Sequence, residues 1–184
     1  IIYKPRFYPD QVVHWALMLQ IQPIIYKGMY ELCCASIKGR GIQRGMNYLK
    51  RILVNDRKYT KYCLKLDVKK FYPSVDKDIL KSKFRKIIKD KDTLDLIDVI
   101  IDSGKEGLPI GNYTSQWFAN FYLQDLDHYI KEVLKVKYYI RYMDDMVLFS
   151  NNKKELRKVK YAIEEFLGNE KLTIKENWQL FKTE

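Results

Sequence analysis

Cysteine is nearly absent: Cys33, Cys34 and Cys63 are the only three in 184 residues. An odd number cannot pair off completely, and their spacing fits no zinc motif. Neither a disulfide framework nor a structural zinc site is therefore encoded, and the three read as reduced, buried thiols of a cytosolic protein. A long apolar run, a strongly cationic amphipathic face and a signal peptide are also missing, which sets membrane partners aside. No internal repeat or low-complexity linker is visible. No glycine cluster has P-loop spacing, and Gly45 lies too early for a dinucleotide fingerprint, so no ATP site is implied.

Negative charge is in short supply as well. There are 23 Asp and Glu against 34 Lys and Arg, a net +11. A field of that sign favours a polyanionic partner, nucleic acid before membrane. Apolar residues at 47% and charged residues at 31% make a globular composition, enough for one sizeable domain or two small lobes sharing a core. Most of the fifteen Tyr and eight Phe are expected in that core, and the rest suit stacking on bases and sugars.

The stretch Tyr138-Tyr139-Ile140-Arg141-Tyr142-Met143-Asp144-Asp145-Met146-Val147-Leu148-Phe149-Ser150 organises the chain. Two aromatic and β-branched runs flank Met-Asp-Asp, predicting two strands joined by a tight turn. Adjacent carboxylates repel each other, and when half-buried they need a cation or several donors. A divalent cation with oxygen ligands resolves this, and a plain surface turn is the alternative. Upstream, Tyr62-Cys63-Leu64-Lys65-Leu66-Asp67-Val68-Lys69-Lys70-Phe71-Tyr72 is another strand-like run with an acid near its end. Asp67 delivered beside Asp144 and Asp145 would complete a site for two Mg²⁺ ions, the arrangement that nucleotidyl transfer requires.

Together, Tyr142-Met143-Asp144-Asp145 and Leu66-Asp67-Val68-Lys69-Lys70-Phe71-Tyr72 resemble the catalytic core of reverse transcriptases, in particular the bacterial and phage branch of group II intron, retron and diversity-generating-retroelement enzymes. The similarity runs from about Pro5 to Leu180. It implies an α+β fingers–palm fold with an antiparallel palm sheet and helices on one face. Fingers are expected at 1–61, palm at 62–75, finger helices at 76–105 and palm again at 106–184, with the chain stopping before a helical thumb. The implied activity is RNA-directed DNA synthesis with two Mg²⁺ ions, for which Mn²⁺ can substitute. The implied partners are an RNA template, a DNA or RNA primer and dNTPs, with an accessory protein if the thumb is borrowed. Asp67 and Asp144 would bridge the metals, Asp145 would support one, and the Val68 carbonyl would complete the nucleotide-side ion. Tyr72 would stack under the deoxyribose and exclude a 2′-hydroxyl, with Phe71 the competing ring. An RNA-binding maturase module with vestigial chemistry and a template-independent defence-type polymerase are the competing readings.

Along the rest of the chain, Pro5 and Pro9 predict an extended opening over 1–9. Asp10 is placed to cap a helix over 11–20, and Pro23 to start a second helix reaching Tyr30. His14 reads as a packing residue. The loop Ile37-Lys38-Gly39-Arg40-Gly41-Ile42-Gln43-Arg44-Gly45 is glycine-rich and basic. It is either a solvated loop or, with Arg40 and Arg44, a contact to template phosphates. Helices are predicted over 48–54, from Asp76 through Ile88, and over 92–102, the second with a solvated row of lysines (Lys77, Lys81, Lys83, Lys86, Lys89). Gly107-Leu108-Pro109-Ile110-Gly111-Asn112-Tyr113-Thr114-Ser115-Gln116 opens a helix over 117–133. By resemblance this segment lies against the templating base and incoming nucleotide, with Ile110 and Gly111 on the dNTP and Gln116 on nucleic acid. The Ile-Gly-x-x-x-Ser-Gln form resembles the error-prone diversity-generating enzymes. A helix over 156–167 and strands over 172–175 and 178–181 close the chain.

Overall fold

The structure, a computed structural model, describes residues 5–183. The chain divides into two compact units. The first runs up to Met29 and resumes over Lys70–Leu123; the second comprises Tyr30–Lys69 and the chain from Gln124 onward. Residues 30–61 thus go with the sheet and 106–123 with the helices.

The first unit is helical. Residues 1–4 of the expected extended opening lie outside the described residues, and a wide helical turn over Phe7–Gln11 leads into α1 (Val12–Lys27). Helix α1 runs straight through Pro23, so one helix stands where two were expected. A proline removes one backbone bond, and burial of His14, Leu17, Met18, Ile21 and Ile25 along one side holds the helix together across that gap. Asp10 does not cap it; its carboxylate accepts from the Arg6 amide at 2.9 Å.

A short turn, α3 (Phe71–Ser74), precedes α4 (Lys77–Ile87) and α5 (Lys91–Asp102). Asp76 caps α4 by accepting from the Ile79 amide at 2.9 Å, and Asp90 caps α5 by accepting from Thr93 at 2.8 Å. Ion pairs Lys81–Asp102 (2.7 Å) and Arg85–Asp98 (2.5 Å) cross-link the two helices in antiparallel order. The lysine row is therefore not uniformly solvated: Lys81 is paired, and Lys83 is buried with its ammonium 5.5 Å from the Tyr122 ring centre. Helix α6 (Tyr113–Tyr122) starts four residues earlier than expected, and its Phe118 and Phe121 rings pack on Phe84 at 4.8 and 4.7 Å.

The second unit is built on a four-stranded antiparallel sheet in the order β2-β3-β1-β4. The strands are β1 (Tyr62–Leu66), β2 (Tyr138–Tyr142), β3 (Asp145–Ser150) and β4 (Gln179–Lys182). The expected helix over 117–133 is broken: α6 ends at Tyr122, α7 (Gln124–His128) follows, and a wider turn over Tyr129–Val133 finishes it. Helix α8 (Lys153–Asn169) packs along β3 and β1, capped by Asn152, whose side chain accepts from the Lys154 amide at 2.9 Å.

The register sorts the sheet into two faces, because opposed residues share a face and neighbours along a strand alternate. Leu64, Leu66, Met146, Leu148, Tyr139 and Arg141 fall on one face, and each is at most 2% exposed. The other face carries Cys63, Lys65, Val147, Phe149, Ile140 and Tyr142 and is only partly covered. Its cover is α2 (Ile42–Asn55), which begins inside the expected loop and lays Tyr48, Leu49 and Ile52 on Cys63 and Phe149. Gly45 is there for close approach of helix to sheet: a Cβ would stand 3.0 Å from the Ile140 side chain and 3.5 Å from the Cys34 sulfur. The α+β, antiparallel-sheet fold class is as expected, with the added feature that α2 covers part of the second face.

Candidate active site

The half-open face carries the acids. Asp67 lies two residues beyond Lys65 and Asp145 two before Val147, so alternation puts both side chains on it. Past β1 the chain keeps a ladder with 173–175: Lys69 donates to the Thr173 carbonyl and Lys175 to the Asp67 carbonyl, both at 2.8 Å. Val68, opposite Ile174, is buried, and this pattern turns its own carbonyl toward the β3 edge. The strand expected over 172–175 is this single bridge.

Asp144 sits in the two-residue turn between β2 and β3, which Tyr142 and Asp145 close as a facing pair. Met143 adopts φ +53°, a left-handed conformation that side chains disfavour. Burial, followed by the nearby Asp67 and Asp145 carboxylates, pushes the Asp144 carboxyl up to about 6, its own backbone amide offsetting part of the rise. The Asp67 carboxylate is thus one of the groups near Asp144 that disfavour its negative charge.

One cation already answers Asp67: the Lys175 ammonium bonds its Oδ2, and that contact raises the lysine's own pKa. The other oxygen, Oδ1, is buried with no hydrogen-bond partner. Among the described residues no three His, Cys, Asp or Glu side chains are gathered closely enough to enclose a metal ion. The donors nevertheless suit a hard divalent cation, with an unsatisfied carboxylate oxygen, a second carboxyl raised by like charge, and a third on the same face.

In the helical unit, Phe71 is 3% exposed and Tyr72 partly exposed, their rings edge to face at 5.9 Å. Of the two, Phe71 is therefore the core residue. The Tyr72 carbonyl accepts from the Leu108 amide at 2.9 Å. Gly107 lies against that turn at φ +54°, where a Cβ would meet the Tyr72 oxygen at 2.1 Å. Ile110 is 53% exposed, Gly111 has φ +102°, and Gln116 is exposed in the first turns of α6. His14 is buried, its Nδ1 3.5 Å from the Thr114 hydroxyl, as a packing role requires.

A sequence profile described as "Reverse transcriptase (RNA-dependent DNA polymerase)" matches residues 6–181. The chain belongs to the reverse transcriptase family. It is 28% identical over 165 residues to the retron Ec73 reverse transcriptase of Escherichia coli, covering 83% of this chain and 49% of that protein. The chain thus spans about half the length of that curated relative. In fold it is similar to the apo telomerase of Candida tropicalis truncated from its C-terminal domain. That match has a TM-score of 0.69 and 17% identity, over 97% of this chain and 41% of the other. A Candida albicans telomerase in complex with a telomeric RNA fragment matches with a TM-score of 0.61 and 12% identity, over 95% and 34%.

Within this reverse transcriptase core, the basic loop residues take different places. Arg40 is buried at 8% exposure and donates to the Tyr30 carbonyl at 2.8 Å, so its guanidinium serves as a loop anchor. Arg44 stays partly exposed, paired with Glu31 at 3.0 Å, on a groove it shares with Tyr48, Asn47 and Arg51. Two features escaped the sequence. Lys175 closes a short polar-apolar alternation, and nothing local marks it as a partner of Asp67. Arg141 and Asp127 form an ion pair at 2.6 Å with both side chains fully buried. The available signal was an arginine in the buried phase of an apolar strand, which demands an acid somewhere else in the chain.

Proposed function

We propose that this chain is the fingers–palm core of an RNA-directed DNA polymerase, in which a primer 3′-hydroxyl attacks the α-phosphate of a dNTP on an RNA template and pyrophosphate departs. The observation that carries this is the placement of Asp67 and Asp145 on the open sheet face with Asp144 in the adjoining turn, in a chain matched by the family profile almost throughout. Asp67 and Asp144 would hold two Mg²⁺ or Mn²⁺ ions between them, with Asp145 and the Val68 carbonyl as further donors. Bound there, the ions would ease deprotonation of the 3′-hydroxyl and stabilise charge on the transferring phosphoryl group.

The remaining roles belong to side chains. Lys175 orients the Asp67 carboxylate through its bond to Oδ2. Tyr72, the more open of the two rings, excludes a 2′-hydroxyl by clash. Ile110 and Gly111 wall the nucleotide without offering a side-chain hydrogen bond, in keeping with the diversity-generating pattern, whereas the curated relative is a retron enzyme. Arg44 and Gln116 contact nucleic acid. Fingers correspond to 1–61 and 76–105, palm to 62–75 and 106–184, and the working compartment is the cytoplasm.

Labelled dNTP incorporation with Mg²⁺, with and without an RNA template, tests the reading. Template-dependent extension is the expected result. Extension without template would favour a terminal-adding polymerase, and RNA binding without incorporation would favour an assembly module.

A further inference from the structure

Beneath the acidic turn lies a closed set of polar bonds. Asp127 on α7 is fully buried and takes the Arg141 guanidinium side-on: Nε donates to Oδ1 at 2.8 Å and Nη2 to Oδ2 at 2.6 Å. The Tyr139 hydroxyl donates to the same Oδ1 at 2.7 Å. The third guanidinium nitrogen, Nη1, leaves this set and donates to the carbonyl of Met143 at 2.8 Å. The backbone of Arg141 is pinned as well, donating to Leu32 at 3.1 Å and accepting from the Cys34 amide at 2.8 Å.

A buried ion pair is a poor device for stability, since apolar residues of equal volume often do as well or better. It is a good device for aim. The guanidinium is planar with its donors in a fixed fork, so once Asp127 holds one edge, the direction of Nη1 is determined. That direction ends on the carbonyl of Met143, the residue held at φ +53° immediately before Asp144. A strained turn of this kind persists only where its surroundings over-determine it.

We infer that Arg141, locked by Asp127 and Tyr139, is a positioning residue that fixes the Met143 carbonyl and thereby the aim of Asp144 and Asp145. This rests on the proposed role of those two acids. Lysine cannot replace Arg141, because one ammonium cannot hold Asp127 side-on and also reach the turn.

The test uses the whole chain and three variants: Arg141→Lys, the paired change Asp127→Leu with Arg141→Met, and Asp144→Asn. Backbone amide exchange of residues 142–146 without metal, Mn²⁺ binding followed by electron paramagnetic resonance, and kcat and KM for dNTP are measured on each. Arg141→Lys and the paired variant are expected to unfold cooperatively, yet to exchange the turn amides at least tenfold faster. They should also bind Mn²⁺ at least tenfold more weakly and lose kcat at least tenfold, with KM changed less than threefold. Wild-type turn exchange and Mn²⁺ affinity in a folded Arg141→Lys protein would overturn the inference. Should the paired variant not fold, Arg141→Lys decides alone. Asp144→Asn separates the two claims: full activity there removes the catalytic reading, while an inactive Asp144→Asn beside unperturbed Arg141 variants removes only the positioning role.

Discussion

Replacing Asp144 with Asn should stabilise the metal-free protein at neutral and alkaline pH and leave its stability unchanged in acid. The folded carboxyl titrates near 6, above its ordinary 3.8, because burial and the Asp67 and Asp145 carboxylates disfavour its charge. A raised carboxyl binds its proton more tightly folded than unfolded. Its favourable contribution is therefore complete below about pH 4 and is lost as pH rises through 6. Two units correspond to roughly 3 kcal/mol. Asp144 is partly open to water, so solvent screening brings this to about 1–2 kcal/mol. For a chain of this size that is a rise in Tm of about 3–6 °C. Thermal unfolding by circular dichroism in chelator, at pH 4.5 and pH 8, reads it directly. Adding Mg²⁺ at pH 8 should reverse the order, since wild type gains binding energy that the variant lacks. Equal stability of the two proteins at pH 8, or the same gain at pH 4.5, would refute the coupling of the acids.

The helical unit supports three further predictions. Gly107→Ala would place a Cβ 2.1 Å from the Tyr72 oxygen at φ +54°, so the loop or the Tyr72 turn must move, with a loss of at least about 2–3 kcal/mol in denaturant titrations; a neutral effect would mean the loop does not rest there. Tyr72→Ala should raise ribonucleotide use relative to dNTP more than Phe71→Ala does, because Phe71 is buried; the reverse ranking, measured in steady-state incorporation, would transfer the sugar-selecting role. Ile110→Gln, at a 53% exposed position, should keep stability and lower misincorporation by supplying a hydrogen bond to the nucleotide, and equal error spectra in sequenced products would remove Ile110 from the pocket.

Local chemistry explains which parts of this fold were legible in the sequence. The hairpin read correctly because alternation on both sides of Met143-Asp144 is a short-range signal, and Asp76 announced α4 because an N-cap bonds only three residues ahead. Pro23 misled because local preference predicts a break, whereas burial along α1 outweighs one missing backbone bond. Gly45 read as part of a phosphate-binding loop, yet its demand comes from Ile140, far along the chain. The break after Tyr122 carried no proline or glycine to mark it. For the site, acids flanked by strand patterns could be found, but their support could not. Lys175 on Asp67 and Asp127 under Arg141 are contacts across 108 and 14 residues, invisible to any local period.

The central claim is that Asp67, Asp144 and Asp145 act together in Mg²⁺-dependent transfer of a nucleotide to a primer end. Single-turnover incorporation of one dNTP on a defined RNA template, for wild type, Asp67→Asn and Asp144→Asn at saturating Mg²⁺, addresses it directly. Removing either acid should slow the chemical step on the order of 10³-fold or more while the variants remain folded and still bind the primer–template. Incorporation within a few-fold of wild type by either variant would contradict the assignment.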